Sequence, residues 1–224
     1  MASKFKNHIK SHTDVNFVPM EFDEKKIIFM KQPRSAGTTI WRHTLKDYVI
    51  KNKGWSGGQG CRNVDEKSKN WLEKITDGEI KNEYFVFTFV RNPFSRVVSC
   101  WGEGKRNVRG MKCSSNFEFF IKNELWREDR GDFEGFHNAH LIPANIHSEY
   151  DDGELFTNYV GKIENTEEDW KTLCDIVDIP YLKLPHIYSG HSVKDSYKNF
   201  YTSELIEIVS NYYKRDLELF NYEF

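Results

Sequence analysis

The run YFVFTFV at residues 84–90 narrows the possible folds more than any other stretch of the chain. Seven consecutive β-forming residues leave no polar face to turn toward solvent. A strand of this kind is covered on both sides, as in a parallel sheet flanked by helices. KKIIFMK at 25–31 is a short apolar run between charges and reads as a second buried strand. TNYVGKI at 157–163 reads as a third. Helical patterns alternate with these strands. Residues 38–50 place Ile40, Trp41, Thr44, Leu45, Tyr48 and Val49 near one helical face. A helix opens at 94–101 with Pro93 near its start. Residues 64–75 and 116–126 are expected to be helical, and Asn165 to cap a helix running to Val177. The last helix is expected over 203–220, with Leu205, Ile208, Val209 and Tyr212 on one side. Stretches 51–60, 131–150 and 179–195 read as loops. The expectation is an α/β fold with a central, mainly parallel sheet flanked by helices.

Residues 1–24 are polar and mixed and read as an arm holding one edge strand, with 25–224 as a single domain. No repeat, low-complexity tract or linker divides the chain. With 17 Phe, 11 Tyr and 6 Trp the sequence is far too aromatic for a disordered chain. A formal charge of −2 excludes a bulk polycation, so no nucleic-acid partner is expected. No apolar run approaches the roughly 20 residues of a membrane span. The basic start lacks an apolar segment behind it, so a cytoplasmic location is expected, with a shortened Golgi or secreted protein as the alternative. Cys61, Cys100, Cys113 and Cys174 form no C-x-x-C pair and no zinc-type spacing with His. Four reduced thiols are expected, with one or two disulfides as the alternative, and no metal site.

Two segments point to chemistry. Between the first strand and the first helix lies Pro33-Arg34-Ser35-Ala36-Gly37-Thr38-Thr39. A strand, a tight loop and a helix start form a P-loop-like opening, in which unpaired N–H groups meet an anion. Ala36 and Gly37 let the backbone come close, Ser35, Thr38 and Thr39 add hydroxyls, and Arg34 adds a planar fork of donors. Thr38 stands where a Walker A loop needs Lys, so that motif and its magnesium logic are missing. Alone, the loop also reads as an ordinary strand-to-helix turn. The second segment, Arg91-Asn92-Pro93-Phe94-Ser95-Arg96-Val97-Val98-Ser99-Cys100-Trp101, leaves the buried strand. A helix starting near Phe94 brings Ser99 back beside Arg91, so both can hold one phosphate. Arg96, read alone, is a solvated helix charge.

Together these segments resemble the sulfotransferases that use 3′-phosphoadenosine-5′-phosphosulfate (PAPS), in particular the carbohydrate-type group that includes heparan-sulfate uronosyl 2-O-sulfotransferase. Pro33 to Thr39 is similar to the family loop P-K-x-G-x-T-[ST], with Arg34 at the Lys and Ala36 at the Gly position. Arg91 to Trp101 matches R-[DN]-P-x-x-R-x-x-S-x-[YW] throughout. His140-Leu141-Ile142-Pro143-Ala144 resembles H-x-x-P-Q, Tyr159 to Asn165 resembles F-[IV]-G-[RK]-x-E-N, and Lys214 to Tyr222 resembles the family ending. The resemblance implies that the loop from Arg34 to Thr39 binds the 5′-phosphosulfate. It further implies that Arg91 and Ser99 bind the 3′-phosphate and that Lys194, in a late basic loop, closes over it. The implied partners are PAPS, its product adenosine 3′,5′-bisphosphate, and a carbohydrate or other hydroxylated acceptor.

Sulfuryl transfer has a good leaving group and needs no metal. It needs charge stabilisation, for which Arg34 is placed, and a base for the acceptor proton. His140 matches a family position and is one candidate. His43, one helical turn past the loop, is another, with Asp47 and Glu103 behind them. Trp55, Trp101, Trp126 and Phe136 are candidates for stacking on sugar or adenine, although aromatics are more often core. A nucleotide kinase or hydrolase and a non-catalytic PAPS-binding module remain as alternative readings.

Overall fold

A computed structural model describes residues 16–22, 25–37, 39–45, 83–106, 113–125, 140–150, 152–185 and 196–224, with backbone only at 16–22, 41–43 and 147. The expected helix at 64–75 and loop at 51–60 lie outside the described residues. Four strands are described: β1 (Asn16–Phe22), β2 (Lys25–Lys31), β3 (Phe85–Val90) and β4 (Tyr159–Lys162). The α-helices are α1 (Pro93–Lys105), α2 (Phe117–Asn123), α3 (Thr166–Val177), α4 (Ser203–Tyr212) and α5 (Lys214–Leu219). The chain divides into two compact units, Met1–Val90 with Ile146–Tyr188, and Arg91–Asn145 with Ser189–Phe224.

The first unit is built on the sheet, in the order β1-β2-β3-β4. β2, β3 and β4 run parallel, while β1 pairs antiparallel with β2, so the expected edge strand and mainly parallel core are both present. Side chains alternate across the sheet. Ile27, Phe29, Phe87 and Phe89 form one layer with Trp170, Leu173 and Cys174 of α3. Phe29 and Phe87 stack at 4.9 Å between ring centroids. Ile28, Met30, Val86 and Val90 on the other face are buried too, as the unbroken apolar run requires. The one polar residue inside β3, Thr88, donates its hydroxyl to Met30 O at 2.7 Å.

β4 approaches β3 closely because Gly161 lacks a Cβ. A methyl group there would lie 2.5 Å from Cε1 of Phe89. α3 begins after a short 3-10 turn, Ile163–Asn165. Asn165 holds the cap position without a side-chain bond. Asp169 in the first turn instead accepts the Lys162 N–H at 2.5 Å. The helix ends on Asp178 in a left-handed conformation (φ 55°), where the Lys25 ammonium bonds both its carbonyl and, at 2.6 Å, its carboxylate. That bond holds the exposed Asp178 carboxyl below its ordinary pKa.

The second unit packs α1, α2, α4 and α5 around an aromatic core that includes Phe94, Trp101, Phe117, Phe120 and Tyr213. Asn92 caps α1, accepting the Phe94 N–H at 3.0 Å, and its amide donates to Glu223 O at 2.7 Å. Trp101 is a core residue whose indole N–H donates to Ser114 O at 2.9 Å. It packs against Phe117 and Phe200, in keeping with the core reading that the sequence favours over stacking. The single helix expected over 203–220 is broken at Tyr213, which separates α4 from α5. Tyr213 is buried and donates its hydroxyl to Leu141 O at 2.6 Å.

Arg96 departs most from expectation. It is not a solvated charge but is only 1% exposed. Its Nη2 donates to Ile142 O at 2.8 Å, lies 3.7 Å from the Asp216 carboxylate, and its guanidinium faces the Tyr213 ring at 5.1 Å. Burial opposes the Arg96 charge, but Tyr213 and Asp216 outweigh it and raise its pKa. Asp216 in turn accepts the N–H groups of Ala144 and Asn145, each at 2.7 Å.

Two stability measurements follow. Gly161→Ala is expected to cost about 1–3 kcal/mol by overpacking against Phe89. Urea unfolding reads it, and Phe89→Leu in the same chain should recover part of the loss. Arg96→Ala strands a buried carboxylate and is expected to cost about 3–5 kcal/mol. Asp216→Ala should cost a similar amount, and the double variant less than the sum of the two, because both break one network.

Candidate functional site

β2 delivers the loop. Gln32, directly after the strand, is buried and its amide reaches Ser148 Oγ at 3.5 Å. Pro33 to Ala36 form the turn, and Ile40 N bonds Ala36 O at 3.0 Å as the following helix begins. Ser35 is fully buried, and its N–H donates to Gln32 O. Arg34 and Ala36 both adopt left-handed backbone conformations, with φ 62° and 55°. Alternation of this sort turns successive N–H groups into one concavity and makes a nest for an anion. Such conformations cost about 1–2 kcal/mol for a residue with a Cβ, and they concentrate at ligand clamps. The glycine is elsewhere: Gly37 is not left-handed, and its missing Cβ leaves room for the side chain of Lys31. The loop residues thus fit a phosphate-type anion by backbone shape and by the Arg34 charge.

The expected α-helix after the loop is wound as a π-helix over Thr39–Thr44. Leu45 N bonds Ile40 O at 2.9 Å, and the Thr44 hydroxyl donates to Thr39 O at 3.0 Å. π-turns of this length recur at functional sites. Thr39 opens the turn. Thr38 lies outside the described residues, as does Asp47. His43 lies on the turn, with its side chain outside the described residues.

The second motif belongs to the second unit. Arg91 is half-buried, and its Nε donates to Ser95 Oγ at 2.7 Å. Ser95 also donates to Asn92 O at 3.3 Å. This pair fixes the plane of the guanidinium. Ser99 lies four residues past Ser95, on the same side of α1 and one turn further along. Ser95 occupies an unspecified position of the motif; its place one turn from Arg91 was the signal that would have found it.

His140 lies in the same unit as Arg91 and Ser99. It is half-buried, and its carbonyl accepts the Cys100 thiol at 3.3 Å, so its backbone runs beside the residue that follows Ser99. The next residues are held equally firmly. Leu141 O accepts from Tyr213, Ile142 O from Arg96, and Asp216 takes the N–H groups of Ala144 and Asn145. The side chain of His140 therefore projects from a backbone fixed at five points. Glu103 is half-buried in the last turns of α1. Lys194, Trp55, Trp126 and Phe136 lie outside the described residues. Cys100, Cys113 and Cys174 are thiols, and burial pushes Cys113 up to about 11. Among the described residues, no group of three or more His, Cys, Asp or Glu is placed to hold a metal ion. None of the described helices is long and apolar enough to cross a membrane.

Carbohydrate sulfotransferase 10 of Gallus gallus is 32% identical to the chain over 103 residues. The match covers 41% of this chain and 28% of that protein's length. No solved structure matches the chain. A model of the sulfotransferase family matches residues 20–223, nearly the whole sequence, and the chain therefore belongs to the sulfotransferase family.

Proposed function

We propose that the protein transfers a sulfuryl group from PAPS to a hydroxyl or amine of a carbohydrate, with residues 25–224 acting as one catalytic domain. The observation that carries this reading is the Arg91 guanidinium locked on Ser95 at 2.7 Å, with Ser99 one turn further on the same helix. A fixed cation and a hydroxyl on one helical side suit a monoester phosphate, and a 3′-phosphate is the feature that separates PAPS from ATP. The carbohydrate acceptor is supported by the name of the Gallus gallus relative.

In the reaction the bond from sulfur to the bridging phosphate oxygen breaks, a bond from sulfur to the acceptor oxygen or nitrogen forms, and the acceptor loses its proton. Arg34, the N–H groups of Ala36 and Gly37 and the hydroxyls of Thr38 and Thr39 hold the 5′ end and stabilise charge there. Arg91 and Ser99 hold the 3′-phosphate, with Lys194 as a further cation. His140 is the first choice for the acceptor's base, since its backbone is rigid and its side chain is partly open; His43 is the second. The reading assigns no step to a metal.

Two measurements test this. Adenosine 3′,5′-bisphosphate should raise the melting temperature well beyond ATP with magnesium, by binding the folded state; equal shifts would remove the proposal. In steady-state kinetics, Arg91→Ala should raise the donor KM more than it lowers kcat. The lost contact is worth about 2–3 kcal/mol, or roughly 30- to 150-fold in affinity. Arg34→Ala should instead lower kcat by about 100-fold while the bisphosphate still binds. Unchanged kcat in Arg34→Ala, or unchanged donor affinity in Arg91→Ala, would refute that residue's role.

A further inference from the structure

The strand that leads into the loop ends on a lysine whose stem lies against the loop. A Cβ placed on Gly37 would meet Cγ, Cε and Cδ of Lys31 at 2.5, 2.8 and 3.0 Å. Three of its methylenes therefore run along the α-carbon of Gly37. The ammonium is one C–N bond of about 1.45 Å beyond Cε, and so lies within about 4.3 Å of the same point. Gly37 follows Ala36, the second left-handed residue of the nest. No left-handed φ requires glycine at 37, so the Lys31 stem is what a side chain there would displace.

Laying a lysine along a backbone costs side-chain entropy. A lysine at the end of a strand can also bury its stem simply as packing. Two features favour a binding role. The stem lies on the one loop residue that has no side chain, and that loop already carries Arg34 and a backbone shaped for an anion. A compact ammonium also complements Arg34, because it is a point charge that meets oxygens a planar fork does not reach.

We propose that Lys31 is a second cationic contact of this site, binding the 5′-phosphate-type group of the donor nucleotide. The proposal rests on the donor reading above. It places a residue outside the loop, at the end of the strand that leads into it, among those that hold the nucleotide.

The test compares Lys31→Met, which keeps an apolar stem, Lys31→Gln as a second uncharged variant, and Lys31→Arg, which restores charge. Binding of adenosine 3′,5′-bisphosphate and of adenosine 3′-monophosphate is measured by titration calorimetry, with circular dichroism to confirm folding. The uncharged variants should bind the bisphosphate at least about tenfold more weakly than the wild-type protein. They should bind the 3′-monophosphate, which lacks the 5′ group, as the wild type does. Lys31→Arg should recover most of the lost affinity. Bisphosphate affinity unchanged in the uncharged variants means that Lys31 only packs, and overturns the proposal. Equal loss for both nucleotides means that the change acts through general disruption, and overturns it too. If the wild-type protein binds neither nucleotide, the donor reading itself has failed and this proposal fails with it.

Discussion

A positive charge buried in an aromatic core organises the second unit. Arg96 leaves water entirely, and so much desolvation is tolerated only with compensating partners. Its partners are a carbonyl from the 140–145 segment, a carboxylate from α5 and the face of Tyr213. Each partner is itself engaged: Tyr213 with Leu141, Asp216 with Ala144 and Asn145. One helix, one irregular segment and the C-terminal helices are therefore joined by a polar network inside an otherwise apolar core. Apolar packing alone would leave the 140–145 backbone free to slide, since dispersion contacts are not directional. The hydrogen bonds fix its register. The consequence for the proposed function is local, because that segment carries His140, the proposed base.

The sheet was legible because its signal is short in range and redundant. β2, β3 and β4 are each rich in β-branched and aromatic residues, and Pro93 punctuates in a way that depends only on neighbouring backbone. The start of α1 was likewise implied by Pro93. Two features were not legible, for one physical reason: each is set by a partner distant in sequence. The break at Tyr213 places its hydroxyl on a carbonyl 72 residues away. The burial of Arg96 depends on Asp216 and Ile142, and an arginine read alone on a helix looks solvated. A third is local: Asn165 keeps its cap position without a side-chain bond, and Asp169 in the first turn of α3 accepts the Lys162 N–H at the end of β4.

Within the site, residue types were legible and their division of labour was not. Arg34, Ser35, Ala36 and Gly37 share one loop, as the motif implies, and Arg91 leads into the helix that carries Ser99. The left-handed positions fall on Arg34 and Ala36 instead of on the glycine. Composition suggests that a small residue marks the place where backbone approaches a ligand. Here the glycine makes room for a side chain, and residues with a Cβ carry the unusual φ. Ser95 escaped notice for a related reason. Its value lies in orienting Arg91, and a positioning residue carries no chemistry of its own to flag it in a sequence.

The loop also shows how binding and stability are set against each other. Two non-glycine residues held at positive φ cost about 1–2 kcal/mol each, and nothing in the packing of Ser35 or Ile40 requires that conformation for its own sake. The strain persists because the fully buried Ser35 and the bond from Ile40 N to Ala36 O hold both ends of the turn. Loops that relax to right-handed or extended backbone would aim their N–H groups in different directions and lose the concavity. An anion seated there pairs with N–H groups that are already aligned, so little ordering remains to oppose binding. The same alignment favours charge that builds up during transfer, because fixed dipoles need not reorganise as it appears. A strained turn after β2 is therefore the arrangement expected where the fold gives up some stability to keep a charge-stabilising site rigid.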